Sequence, residues 1–382
     1  MTPPLIDVTG DLETAPGSVL RAKFNPKDPL AYGMAENDGI RCPYHAWKFT
    51  KEGQCVETPN AAPGNRICER IRIKAYPVQE MGGLIWAYLG ARPAPLLPRW
   101  EHVVRDDFDQ DIGISRMPCN WLQVAENTMD PLHIEYLHMM YTNYVRARKG
   151  QSTVPLRKHK ELAFDVFEHG IVKRRLWEGD SADSPEWVTG HPQIFPGTAM
   201  VAYPEGWVQF QIRVPVDDVN TNLYWLNCRP LQKGAKKQDV APIWDNPWAN
   251  EEGRYIPDQL NAQDMMVMIS QGEITDHTAE NLVEGDRGVV LYRRTLLAEI
   301  EKVERGEDPL GVIRDPRLLD NIGSTDRANL AKYLTIAKLR SATAPGTCTT
   351  NDALQNLLKL VFGDGTPNLS SAKSKLDKVQ ER

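Results

Sequence analysis

Apolar and polar residues alternate with period two in several stretches of this chain. Ile71, Ile73 and Ala75 alternate with Arg72, Lys74 and Tyr76, which predicts a strand. A turn at Met81-Gly82-Gly83 then leads into a second strand from Leu84 to Leu89. Further on, Phe164, Val166 and Glu168 run into a turn at His169-Gly170, and residues 171–177 return. Val208, Phe210, Ile212, Val214 and Val216 alternate with Gln209, Gln211 and Arg213. A polar turn over 217–222 precedes Leu223-Tyr224-Trp225-Leu226. Such alternation predicts a sheet with one wet face and helices on the other, an α+β domain. Gln263-Asp264-Met265-Met266 opens a helix that ends near Gly272. Leu296, Leu297, Ile300 and Val303 follow a helical period, with Gly306 as the C-cap.

These elements divide the chain. Residues 1–29 are rich in Thr, Pro, Gly and Asp without periodicity and read as a divergent, disordered segment. Residues 30–100 form a first domain, closed by the proline-rich boundary at 91–99. Residues 101–340 form a second, larger domain. A polar linker at 341–350 precedes a tail to 382 with a short amphipathic helix at Leu354, Leu357, Leu358 and Leu360.

A chain of 382 residues has room for two cores. A net charge of −6 argues against a nucleic-acid surface or an anionic membrane as partner. No apolar run approaches the ~20 residues that span a bilayer, and no signal peptide is apparent at the start. The expected location is cytoplasmic. Six scattered cysteines read as thiols or metal ligands, not as a disulfide framework.

The candidate chemistry concentrates in residues 120–138. His133 and His138 are two of only eight histidines, and Asp130 lies three residues ahead of the first. Two imidazoles and a carboxylate on one face of a metal suit an Fe(II) site that activates O₂. On a regular helix the two imidazoles would sit roughly 140° apart. Pro131 lacks the N–H that would bond back to Asn127. A bulge, or a helix end near Leu137, is therefore needed for both to converge. Asp130, one turn before His133, is placed to orient that ring. The bland reading is a core helix with two satisfied histidines.

The segment from Asn120 to His138 resembles the catalytic segment of Rieske non-haem iron oxygenases. Arg41-Cys42-Pro43-Tyr44-His45-Ala46-Trp47 resembles the second ligand loop of their [2Fe–2S] domain. Residues 286–294 and 301–309 extend the resemblance towards the phthalate-dioxygenase-like branch, especially 5,5′-dehydrodivanillate O-demethylase oxygenase subunits. The resemblance implies a small antiparallel β domain, N-terminally incomplete here. It also implies a helix-grip, START-like catalytic domain with a curved antiparallel sheet. It implies Cys42 and His45 as cluster ligands, and Fe(II) held by His133, His138 and a late carboxylate. Asp264 is the first choice for that carboxylate, with Asp276 and Asp286 behind it. A helix-start aspartate is the commoner explanation of Asp264. Asp130 matches the carboxylate that bridges a cluster histidine to an iron-ligand histidine across subunits, with His45 as its counterpart. Asn120 and Gln123 could bond to substrate or to groups behind the ligands, or be purely structural.

The family's other loop is a Cys-x-His about 16 residues before Cys42. The corresponding positions, near Lys23 and Asn25, hold no suitable ligand. The chain thus offers two of four cluster ligands and reads as N-terminally truncated or degenerate. The resemblance implies O₂-dependent hydroxylation or O-demethylation of a lignin-derived or phthalate-like aromatic. Electrons would come from NAD(P)H through a reductase or ferredoxin, in a homotrimer. The alternative is a non-catalytic pseudo-oxygenase subunit. The remaining histidines, His102, His159, His169, His191 and His277, read as ordinary core or surface residues.

Overall fold

The structure is a computed structural model that describes residues 29–319, apart from 168, 189, 204 and 205. The expectations for 1–28 and for the tail beyond 319 lie outside the described residues. The chain divides into two compact units, residues 1–97 and 98–382.

In the first unit, β1 (Met34–Glu36), β2 (Gly39–Arg41), β3 (Lys48–Phe49) and β4 (Cys55–Glu57) pair in sequence order as an antiparallel sheet. A short α1 (Ile67–Arg70) follows. Then β5 (Val78–Met81) and β6 (Leu84–Ala87) form a separate hairpin. Gly82 and Gly83 both have positive φ, 66° and 74°, as a tight two-residue hairpin turn demands. The strand expected at 71–76 is reduced to one bridge, Gln54 to Arg72. Gln54 directly follows the turn at Gly53, so little partner backbone is available there. Pro77 then offers no N–H. The alternation survives as packing, with Ile71, Ile73 and Ala75 against the buried Phe49 and Cys55.

The second unit is built on one eight-stranded sheet. Its strands are β7 (Phe108–Met117), β8 (His159–Phe167), β9 (Gly170–Trp177), β10 (His191–Ile194), β11 (Thr198–Ala202), β12 (Val208–Asp217), β13 (Asn220–Pro230) and β14 (Ile243–Asp245). The spatial order is β14-β7-β13-β12-β11-β10-β9-β8. All pairs are antiparallel except β14 on β7. The helices are α2 (Glu101–Val104), α3 (Trp121–Met129), a π-helix (Ile134–Tyr141), α4 (Thr142–Arg148), α5 (Pro185–Val188), α6 (Leu260–Ile269), α7 (Arg287–Glu304) and α8 (Pro316–Leu319). α6 begins three residues earlier than expected, so Asp264 lies within it and not at its start. α7 ends in a Schellman pair, Gly306 N–H to Val303 O and Glu307 N–H to Lys302 O, both 2.9 Å.

The faces of this sheet differ from the expectation. Leu223 and Trp225 pack with Val124 of α3 and with Ala262, Met265 and Met268 of α6. Ile171 packs with Ala125 and Met129 of α3 and Val289 and Tyr292 of α7. Cross-strand pairing puts Gln211 opposite Trp225 and Arg213 opposite Leu223. The polar members of β12 therefore face the covering helices. Val208, Phe210 and Ile212 point the other way and are buried as well, with Trp100 beside Phe210. Neither face is wet at the centre, because the α2 segment covers the second face. The alternation recorded two interiors of different polarity, one of them polar.

Candidate metal centre

Asn120 caps α3, its Oδ1 accepting from Leu122 N–H at 2.9 Å while its Nδ2 donates to Asp218 O at 2.7 Å. Gln123 donates to Met268 O at 2.8 Å and Gly272 O at 2.9 Å and accepts from Thr275 N–H at 3.1 Å. Both side chains are committed to structure, which favours the structural role among those open to them. Gln123 pins α3 to the end of α6.

α3 stops at Met129, where Asp130 turns to extended backbone and Pro131 follows. Asp130 Oδ1 accepts the Leu132 N–H at 2.7 Å, and the chain restarts as a π-helix directly after His133. In a π-helix the hydrogen bond spans five residues. Residues five apart then lie about one turn apart, which turns His133 and His138 to one side. The imidazole rings are 5.1 Å apart and nearly perpendicular.

Asp264 projects from α6 to the same point. His138 Nε2 is 3.0 Å and His133 Nε2 3.7 Å from Asp264 Oδ1. The three donor atoms all lie within 4.8 Å of one another. Two ligands ~2.1 Å from a metal and at right angles are ~3.0 Å apart, so the set is spaced for a small metal ion. The runners-up lie elsewhere: Asp276 caps a short turn through Thr278 and Asp286 accepts from Val283 N–H.

Sequence reasoning missed Gln263 and Asn127. Gln263 is 1 % exposed. Its Nε2 donates to Pro257 O at 2.7 Å and Thr142 Oγ1 at 2.9 Å, which fixes Oε1 as the acceptor facing His138 Nδ1 at 3.0 Å. His138 therefore carries its proton on Nδ1 and keeps Nε2 bare for a metal. Asn127 Nδ2 reaches Asp264 Oδ1 at 3.5 Å. Asp130 Oδ2 lies 3.5 Å from His133 Nδ1. The only available signal was position: Gln263 adjoins the candidate carboxylate, and Asn127 lies one helical turn before Asp130.

Burial alone would raise the Asp264 carboxyl, but His138, His133 and Asn127 outweigh it and hold it below the usual range. Burial likewise works against the His138 cation, yet Asp264 and Gln263 push it above the ordinary value. Asp130 is held low in the same way, against its burial, by His133, the Leu132 amide and the Lys173 charge. Each of these shifts favours the negatively charged carboxylates and a positive charge between them.

A second convergence of donors, Glu126, His277 and Glu280, already contains a cation. Arg293 contacts Glu126 at 2.5 Å, Glu280 at 2.6 Å and His277 Nδ1 at 3.1 Å. This is an ion-pair network that ties α7 to α3. His159 Nδ1–H donates to Glu135 Oε1 at 2.6 Å, and the ring stacks on Trp177. His102, His169 and His191 are buried.

In the first unit, Cys42 and His45 sit on a tight loop. Ala46 N–H donates to Cys42 O at 2.9 Å, Cys42 N–H to Trp47 O at 2.8 Å, and Ala46 takes φ 60°. Cys42 is half-buried and His45 exposed. Cys55 and Cys68 approach to 3.5 Å between sulfurs. A Rieske cluster needs two cysteines and two histidines, and His45 is the only histidine in residues 1–97. The donors of this chain therefore fit one loop of such a cluster and not the complete ligand set.

The Rieske [2Fe-2S] domain family matches residues 27–77. The chain is 38% identical over 294 residues to the 5,5'-dehydrodivanillate O-demethylase oxygenase subunit of Sphingobium sp. (strain NBRC 103272 / SYK-6), covering 76% of this chain and 68% of that one. It is 27% identical to the phthalate 4,5-dioxygenase oxygenase subunit of Pseudomonas putida, covering 74% and 72%. Among solved structures, Pseudomonas putida CBB5 NdmA superposes with a TM-score of 0.51 at 18% identity, over 73% of this chain and 76% of that one.

Proposed function

The chain belongs to the Rieske non-haem iron oxygenases, in the phthalate-dioxygenase-like branch, and from that premise we propose that it oxidises a substituted, lignin-derived or phthalate-like aromatic with O₂. The observation that carries this reading is the convergence of His133, His138 and Asp264. We assign these three as ligands of a mononuclear Fe(II). Bound there, iron would supply O₂ activation, with two electrons from NAD(P)H through a reductase or ferredoxin. For a methoxyarene the balance is ArOCH₃ + O₂ + 2e⁻ + 2H⁺ → ArOH + HCHO + H₂O; ring hydroxylation is the other outcome.

The chain's own residues prepare this site. Gln263 fixes the tautomer of His138, Asn127 steadies the Asp264 carboxylate, and Asp130 orients His133. The relatives are named as oxygenase subunits, which supports a multicomponent system; we place this chain in a homotrimer in the cytoplasm. No helix among the described residues is long and apolar enough to cross a membrane. Cys42 and His45 are assigned as two ligands of a [2Fe–2S] cluster, the other two not being supplied by residues 1–97. A non-catalytic subunit is the second reading, raised only by the lone histidine of residues 1–97, and the similarity to oxygenase subunits does not favour it.

Anaerobic Fe(II) reconstitution followed by hydrogen peroxide separates the two, because peroxide delivers oxygen already reduced by two electrons. The expected result is roughly one mononuclear iron per chain and formaldehyde from a methoxylated aromatic. His133→Ala and Asp264→Ala should abolish both iron and product. Iron bound without product would favour the non-catalytic subunit, and no iron at all would sink the reading.

A further inference from the structure

The segment that enters β8 runs along the helices that follow His133. Three side chains, each four residues from the next, meet its backbone in antiparallel order. Asn143 Oδ1 accepts the Val154 N–H at 2.7 Å, and Asn143 Nδ2 donates to Val154 O at 2.9 Å. Met139 Sδ accepts the Arg157 N–H at 3.4 Å. Glu135 Oε1 accepts both the His159 N–H and the His159 Nδ1–H, each at 2.6 Å. This last rung is the strong one, a carboxylate taking two donors from a single residue.

Its parts are fixed from behind. The side chains of Glu135 and His159 are 11% and 3% exposed. The His159 ring lies on Trp177, its partner across β8 and β9, with centroids 3.9 Å apart. Trp177 in turn donates its Nε1–H to Glu186 at 2.9 Å. β8 ends the sheet, and the N–H of its first residue goes to Glu135 instead of to a further strand. His159 Nε2 is buried and finds no partner among the described residues, so the ring carries its proton on Nδ1. Burial holds the His159 cation below its ordinary range, with the Arg175 charge, against the pull of Glu135.

Glu135 stands on the π-helix between the two ligand histidines, two residues after His133 and three before His138. Two residues are roughly half a turn there, so its side chain leaves away from His133 and belongs to no ligand set. π-helices are rare and mostly a single turn long. Relaxing this one to α geometry would swing the two imidazoles roughly 140° apart. The same rotation would pull Glu135 off both donors of His159, which the sheet holds in place. Resting on the ligand assignment made above, we propose that Glu135, gripped by the His159 backbone and ring, is a positioning residue that keeps the π-helix in register and so sets the angle at which His133 and His138 meet the metal. Met139 adds a weaker hold. Asn143 belongs to α4, beyond the π-helix.

The test uses the full chain and two readouts. The first is titration with Co(II), whose visible bands report the number and geometry of ligands; the bands absent from Asp264→Ala are those of this site. Glu135→Ala should weaken Co(II) about 10- to 100-fold and shift these bands. Glu135→Gln keeps the length and the acceptor without the charge and should stay close to the wild type, whereas Glu135→Asp is too short to reach and should behave like Glu135→Ala. Asn143→Ala should lower the melting temperature and leave affinity and bands alone. The second readout is amide exchange over residues 134–141 of the metal-free chain, which should speed up about 10-fold or more in Glu135→Ala. If Glu135→Ala does not fold, the comparison of Glu135→Gln with Glu135→Asp decides. Unchanged bands and affinity in Glu135→Ala, an equal loss in Glu135→Gln, or an equal loss in Asn143→Ala would overturn the assignment, the second by tracing the effect to charge and the third to general loosening. If the wild type shows no bands that depend on Asp264, the ligand assignment falls. Faster exchange in Glu135→Ala would then still support the hold on the π-helix, and unchanged exchange would end it.

Discussion

Gln263 shows how one side chain sets the chemistry of another. Its amide is locked by two acceptors, so His138 has no choice of tautomer. Gln263→Leu should keep the fold yet lower Fe(II) affinity about 10- to 100-fold, read by metal titration. Arg293 acts on stability. It holds Glu280 at about 2, against an ordinary 4.5, first through its own hydrogen bond and then through His277. A lowered carboxylate contributes stability that is complete above the unfolded value and is lost as pH falls through the folded one. Melting temperature should therefore fall between pH 4.5 and 2, and Glu280→Gln should lower it at pH 6 and leave it unchanged near pH 2. Arg293→Met, which strands the buried Glu126, should cost about 3 kcal/mol in urea unfolding.

At the scale of elements, the site depends on a break and a restart. Pro131 ends α3, and the π-helix turns a five-residue spacing into one turn. The hydrophobic pattern gave no sign of which irregularity would serve; it showed only that a regular helix fails. α7 then clamps the end of α3. A Cβ at Gly288 would lie 2.3 Å from the Phe164 ring and 2.4 Å from Met129 O. Gly288→Val should destabilise the protein by about 1–3 kcal/mol and weaken metal binding, because Met129 directly precedes Asp130. Paired denaturation and metal titration would show the two losses together. The exposed Leu297, Ile300 and Val303 on α7 show the limit of periodicity. The helical period was legible, but the buried face runs through Val289 and Tyr292 instead.

Across the whole molecule, the chain alone determined what local chemistry determines. His133 and His138 were legible because two imidazoles and a nearby carboxylate stand out among eight histidines. The Cys42–His45 loop was legible because its spacing is short and its residue types are specific. The Gly82-Gly83 turn followed from backbone sterics. What tertiary structure decided is everything that depends on distant segments meeting. Asp264 lies 126 residues beyond His138, and only the packing of α6 beside the π-helix brings it to 3.0 Å while leaving Asp276 and Asp286 away. The polarity of the two sheet faces was decided the same way. Alternation states that neighbours point oppositely, but which side the helices cover depends on the whole sheet. That choice put Gln209, Gln211 and Arg213 inside, where the Arg213 guanidinium finds acceptors in Gln211 and, from a distant segment, in Thr128 of α3.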